Sequence, residues 1–368
     1  MKFIRYCLLF FFIIKQIDCS WQKSLKNKID NKEMPQWMIE GINNDLNQYK
    51  YLKISASKFQ DYIKIINNSV RIIVSVRITV KDGIFNIDTG IFNIYNNDNS
   101  LQAKRLKNDL LQLLYDLNSV EIIKDLDMIV SLEDYDDLCY NIPIFSLYGK
   151  NKKDSSTLMF PTVSWLDRLL IMNHNFKIID WNDKKNKCIW RGATSGGTYT
   201  LSNFKDYPRT KLVELSLKYP DLIDAKFNYI IQYDKLDTKL KIIELGYLGD
   251  TMSVQDQLKY KYQIYLAGNP GWSMRLYWQL FSESLIFKVE DDYINFFSHC
   301  LKPWVHFIPI KRDLSDLIEK LNWAIENDQK AYEIAKNARK FAEQNLTYDN
   351  ILYYLYLLIQ AYTKICVK

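Results

Sequence analysis

Residues 260–275 read YKYQIYLAGNPGWSMR, and the order of residue types along them decides the class of fold. Tyr262–Ala267 is a short apolar run rich in strand formers. It stops at Gly268-Asn269-Pro270-Gly271-Trp272-Ser273, where Gly and Pro turn the chain. From Met274 to Glu283 the spacing predicts a helix, and Leu285–Val289 reads as the next strand. The same order occurs upstream. Cys188-Ile189-Trp190 is a strand, Arg191-Gly192-Ala193-Thr194-Ser195-Gly196-Gly197 is the turn, and a helix follows around Thr210–Lys218. Repeated strand, turn and helix imply a parallel sheet and an α/β fold.

Further outward, Arg71–Val80 (RIIVSVRITV) and Phe85–Tyr95 read as strands. Ser100–Leu117 carries Leu106, Leu110, Leu111, Leu113, Leu114 and Leu117 at helical spacing. Asp127–Leu132 (DMIVSL) is a short apolar strand that opens into Glu133-Asp134-Tyr135-Asp136-Asp137. Ligands in open α/β sheets gather at such carboxyl ends. Residues 21–50 look polar and irregular, a lead-in. The segment 314–344 is strongly helical, and an aromatic helix runs over Asn350–Ile365. The charged stretch 182–187 (NDKKNK) is the expected domain boundary. The expected division is therefore residues 1–19 as a signal peptide, 20–181 and 182–349 as two Rossmann-like domains, and 350–368 as a C-terminal helix.

Composition agrees with a two-domain globular chain: 368 residues, 48% hydrophobic and 25% charged, with 11 Gly and 8 Pro. A net charge of +6, from 49 basic and 43 acidic side chains, is too weak over this length to imply nucleic acid. The chain has three His, so a three-His metal centre would need all of them. Lys2 and Arg5 precede an apolar run from Tyr6 to Ile14, too short for a spanning helix, which needs about 20 residues. Basic then apolar is the pattern of a signal peptide, so the chain is expected in the secretory pathway or exported. If eukaryotic, that means the endoplasmic reticulum lumen or the Golgi. No membrane span is expected in the mature chain. Cys139, Cys188, Cys300 and Cys366 form no CxxC pair.

Both glycine-bearing turns combine small residues and hydroxyls with an arginine, Arg191 in one and Arg275 just after the other. Glycine lets backbone amides approach a ligand, and a helix N-terminus favours negative charge. An arginine fork matches two phosphate oxygens at once. Two such turns in one half favour a diphosphate ligand, although each alone is also an ordinary connector. Asp134, in the loop after a strand, is a candidate general base, and the same acidic loop is equally readable as solvated surface. Asp291-Asp292 invites a divalent cation, yet adjacent aspartates at a turn are more often solvated.

Residues 260–275, followed by Phe296–Ile310 (FFSHCLKPWVHFIPI), resemble the CAP10-type glycosyltransferases, glycosyltransferase family 90, which includes protein O-glucosyltransferases and fungal capsule xylosyltransferases. The resemblance extends through Leu138–Ser146 (LCYNIPIFS), Met159–Leu166 (MFPTVSWL) and Ile189–Ser195 (IWRGATS). It implies a GT-B-like architecture, two Rossmann-like domains facing across a cleft. It also implies inverting transfer of glucose or xylose from UDP-glucose or UDP-xylose to a hydroxyl of a protein or glycan acceptor, without an obligatory metal or other cofactor. By the same resemblance Asp134 is the general base, with Glu133 standing where the family has arginine. Arg191, Gly192, Thr194 and Ser195 match one nucleotide-side motif, and Gly271, Trp272, Ser273 and Arg275 the other. Arg209 matches less well, because the loop before it is longer. Phe160, Pro161, Ser164 and Trp165 match the acceptor and sugar side. Two cysteines of the luminal animal enzymes are replaced by Leu258 and Ser282, and the end Ile365-Cys366-Val367-Lys368 carries no KDEL-type retention signal. A catalytically degenerate sugar- or glycoprotein-binding protein of the same fold is the alternative.

Overall fold

Alternating apolar residues over 75–81 and 84–88 pair around the Asp82-Gly83 turn, where both residues take positive φ. The computed structural model describes residues 20–49, 75–88, 99–132, 143–147, 150–151, 157–162, 178–269 and 275–365, together with 61 and 64. The first half runs α1 (Ser20–Asp30), α2 (Gln36–Leu46), β1 (Ser75–Lys81), β2 (Ile84–Asp88), α3 (Asn99–Val120), β3 (Leu126–Ser131), β4 (Ile144–Ser146), β5 (Lys150–Asn151) and β6 (Thr157–Met159). Its sheet has the order β2-β1-β3-β4-β6, with the β1–β2 hairpin antiparallel and β3, β4 and β6 parallel. Ser131, Ser146 and Met159 lie level across β3, β4 and β6, so the carboxyl ends of these strands are aligned. The α3 leucines expected to face inward do so, with Leu106, Leu110, Leu113, Leu114 and Leu117 buried and Leu111 half-buried.

The second half runs β7 (Lys185–Ala193), α4 (Pro208–Lys218), β8 (Ile223–Tyr229), α5 (Leu236–Glu244), α6 (Val254–Gln257), β9 (Tyr260–Tyr265), α7 (Arg275–Phe281), β10 (Leu285–Val289), β11 (Tyr293–Ile294), β12 (Ile308–Ile310), α8 (Leu317–Glu326), α9 (Asp328–Asn345) and α10 (Tyr348–Ile365). Its main sheet is wholly parallel, in the order β12-β10-β9-β7-β8. All six residues of β9 are buried, as expected of a central strand covered on both faces. The strand that comes first in this half, β7, lies between the second, β8, and the third, β9. Strand order therefore reverses between β7 and β9. That is the topological switch point, outside which open α/β sheets bind their ligands.

Three departures from the sequence reading are instructive. Residues 21–50 are not an irregular lead-in: 20–30 and 36–46 are helices docked on α10, with Lys28 paired to Asp349 and Trp37 stacked on Tyr354 at 5.7 Å. Their buried positions Leu25 and Ile29, then Met38, Ile42 and Leu46, recur every four residues inside a polar background that conceals the stripe. The stretch 182–187 exposes Asn182, Asp183, Lys185 and Asn186, but Lys184 is buried. Its Nζ donates to the carbonyls of Ser282 (2.9 Å) and Glu283 (3.0 Å) and to Ser284 Oγ (2.7 Å). The last helix begins at Tyr348 and joins the core of the first half, with Tyr354 and Tyr362 fully buried there. The short ladder of β5 with β11 also links the halves. No helix among the described residues is long and apolar enough to cross a membrane.

Candidate functional site at the switch point of the second sheet

The two glycine-bearing turns, far apart in sequence, meet. Gly196 N–H donates to Asn269 Oδ1 at 3.1 Å and to Gln232 Oε1 at 3.2 Å. Gly196 and Gly197 hold φ of +106° and +144°, conformations that side chains with a Cβ rarely adopt. A Cβ at Gly268 would lie 2.3 Å from Arg209 Nη2 and 2.4 Å from Ser195 Oγ. Glycine there is what lets the arginine and the serine close on the second turn.

Arg209, one position after the Pro208 that opens α4, reaches across the carboxyl ends of β7 and β9. It donates to the carbonyls of Ala193 (2.6 Å), Ala267 (3.2 Å) and Leu266 (3.5 Å) and lies 5.6 Å from the centre of the Trp190 ring. None of these partners is a carboxylate. Arg275, the first residue of α7, lies 6.0 Å from the same ring and donates to Gln257 Oε1 (3.4 Å) and to the carbonyl of Arg191. Burial lowers both guanidinium pKa values to about 10, and for Arg275 the neighbouring Arg209 charge adds to the effect. Both remain cations at neutral pH.

A cavity of about 260 Å³ opens beside Arg209. Ser195, Gly196, Tyr207, Arg209, Gly268 and Asn269 form one wall, and Glu290, Asp291, Asp292, Tyr293 and Arg312 form the other. The two adjacent aspartates are engaged by cations: Asp291 with Lys288 at 3.0 Å and Asp292 with Arg312 at 2.7 Å.

Other expected site residues take structural positions. The Arg191 guanidinium is turned toward β8, where Nη1 pairs with Asp224 Oδ1 at 2.7 Å and Nε donates to the carbonyl of Asp250 at 3.2 Å. Gly192 sits where a Cβ would meet the Trp190 ring at 2.5 Å, at a bulge in the β7–β8 pairing. Thr194 ties the turn to the segment after β8, its Oγ1 donating to Ile231 O at 2.6 Å and accepting from Ile231 N at 2.7 Å. Phe160, in the first half, is buried with its ring edge-on to Phe145 at 6.2 Å, and Pro161 is buried beside it. Asp134, Ser164, Trp165, Gly271, Trp272 and Ser273 lie outside the described residues, as do the Glu133 next to Asp134 and the expected signal peptide 1–19. Sequence reasoning did not name Tyr207, which lines the cavity together with Arg209, the weaker motif match. The Pro208 that starts α4 was the available signal for both.

Two sheets, each with its strands' carboxyl ends aligned and one carrying an arginine-lined crevice at its switch point, define an α/β protein of GT-B-like architecture. The chain belongs to glycosyl transferase family 90, whose model matches residues 32–368. It is 32% identical over 235 residues to protein O-glucosyltransferase 2 of Danio rerio, covering 61% of this chain and 43% of that protein. It is 29% identical over 270 residues to protein O-glucosyltransferase 3 of Homo sapiens, covering 69% of this chain and 50% of that one. A viral protein, uncharacterized protein 035R of Invertebrate iridescent virus 3, is 31% identical over 222 residues, 58% of this chain and 19% of its own length. The chain thus spans half the length or less of these curated relatives. Among solved structures, that of TarM superposes with a TM-score of 0.38 at 14% identity, over 60% of this chain and 50% of that one.

Proposed function

We propose that the chain is an inverting, UDP-sugar-dependent glycosyltransferase that moves glucose or xylose to a hydroxyl of a protein or glycan acceptor in the secretory pathway. The observation that carries this reading is Arg209, a desolvated cation lining a cavity at the switch point, with a second cation, Arg275, over the same Trp190 ring. A diphosphate there accepts from both forks while the amides of the glycine turns approach it closely. The names of the relatives support sugar transfer to protein.

In this mechanism Asp134, three residues beyond the last residue of β3, takes the proton of the acceptor hydroxyl as its oxygen attacks the anomeric carbon. UDP departs from the opposite face. Charge grows on the leaving diphosphate, and Arg209 and Arg275, already positioned by backbone carbonyls, stabilise it without reorganisation. Arg191 then supports the turn from beneath through Asp224, and the phosphate role expected of it passes to Arg209. No divalent cation has a role in this scheme, so turnover should survive EDTA.

The test is acceptor-dependent UDP release from UDP-glucose and UDP-xylose across a panel of proteins and glycans. Release with one donor and one acceptor class supports the reading. Tight UDP-sugar binding with no turnover anywhere on a broad panel favours the degenerate binding protein instead.

A further inference from the structure

Tyr207 packs at the edge of the second half's core, and nothing in the transfer scheme uses it. Its ring lies flat on that of Tyr199, with centroids 4.1 Å apart and planes within 10°. Tyr199 is fully buried, whereas Tyr207 is half-buried and lines the cavity. The Tyr207 hydroxyl donates to the carbonyl of Thr198 at 3.1 Å, which fixes the ring in its plane. A Cβ at Gly197 would come within 2.6 Å of that hydroxyl, so the glycine turn makes room for the ring as well as for a ligand. The result is a rigid two-ring stack with its outer ring at the cavity, two residues before the cation Arg209.

From these observations, and resting on the UDP-sugar reading above, we infer that Tyr207 is the nucleobase platform of the donor site. The pyrimidine ring of UDP stacks on the face of Tyr207 opposite Tyr199, while the diphosphate lies at Arg209 and Arg275. The size of the cavity agrees. At about 260 Å³ it has room for a nucleobase laid against this ring. Stacking is tolerant of base identity, because every base has a π face. Tyr207 therefore supplies affinity for a nucleotide over a bare diphosphate, and choice among bases falls to other groups.

The experiment compares UDP with inorganic pyrophosphate by calorimetric titration of the full chain. In the wild-type protein UDP should bind at least about tenfold tighter than pyrophosphate, from the worth of one base–aromatic stack. Tyr207→Leu should weaken UDP about tenfold and leave pyrophosphate unchanged, and Tyr207→Phe should keep both affinities. Equal wild-type affinity for the two ligands would overturn the inference, whether or not the variants fold. So would a Tyr207→Leu protein that binds UDP normally, or one that loses both ligands alike, which would make Tyr207 a support for Arg209. A wild-type protein that binds neither ligand would instead sink the donor-site reading itself.

Discussion

The two sheets end differently. At the carboxyl ends of β7 and β9 the described residues include glycines, hydroxyls and arginines beside Ala193, Leu266 and Ala267, and Arg209 and Arg275 are held by backbone carbonyls there. At the carboxyl ends of β3, β4 and β6 the described residues are small or apolar: Ser131, Leu132, Ser146, Leu147, Met159 and Phe160, all buried. The second sheet is built to hold charge, and the first presents a packed apolar floor beneath whatever follows its strands. Under the proposed function this difference separates binding from chemistry. In the proposed scheme the second half holds the donor's diphosphate and the first supplies Asp134, the group proposed to move a proton.

That division is broken or sharpened most strongly at Asp134. Asp134→Asn should lower acceptor-dependent turnover by about 10²–10⁴-fold, the usual cost of losing a general base, while UDP affinity stays within about twofold. Initial rates and a UDP titration on the same preparation check it, and near-wild-type turnover removes Asp134 from the mechanism. Next in size, Arg275→Ala and Arg209→Ala should each weaken UDP about tenfold or more, since charge-assisted hydrogen bonds contribute roughly 1.5–3 kcal/mol. The corresponding lysine variants should recover part of the loss, because charge returns without the fork. Arg191→Ala, by contrast, should act mainly on stability, through the lost pairing with Asp224.

Smaller effects sharpen the account. Gly268→Ala should fold, because the colliding atoms are side-chain ends. It should weaken UDP about threefold to tenfold by pushing Arg209 and Ser195 out of the crevice. Lys184 is the control in which fold and function separate. Burial lowers its pKa to about 8, from an ordinary 10.5. Between those pH values the unfolded chain binds more protons than the folded one, so the contribution of this lysine to stability increases as pH rises through the window. Denaturant unfolding of the wild type and Lys184→Met at about pH 7 and about pH 9.5 should show the wild type gaining on the variant by roughly 1 kcal/mol or more. UDP affinity should not change.

The same contrast explains what was legible in the sequence. Strands buried on both faces show as mostly apolar runs even where a polar residue interrupts them, as Gln263 does in β9 and Lys288 in β10, and glycine turns between strand and helix show directly. Thus the second sheet and the meeting of its turns could be anticipated from residues 188–197 and 262–273. The α1 and α2 helices were hidden because their few apolar positions are diluted by charge and become meaningful only against α10. Lys184 was misread because a lysine's burial depends on three acceptors a hundred residues away. The direction of the Arg191 fork was hidden for a similar reason. Sequence spacing places an arginine in a turn, but only the position of Asp224 on the neighbouring strand decides which way its fork points.

The most direct test of the central claim is a crystal structure of the chain with UDP bound. The account predicts the diphosphate at the carboxyl ends of β7 and β9, within hydrogen-bond distance of Arg209 and Arg275. A diphosphate found anywhere else, with these two arginines still on their backbone carbonyls, would contradict it.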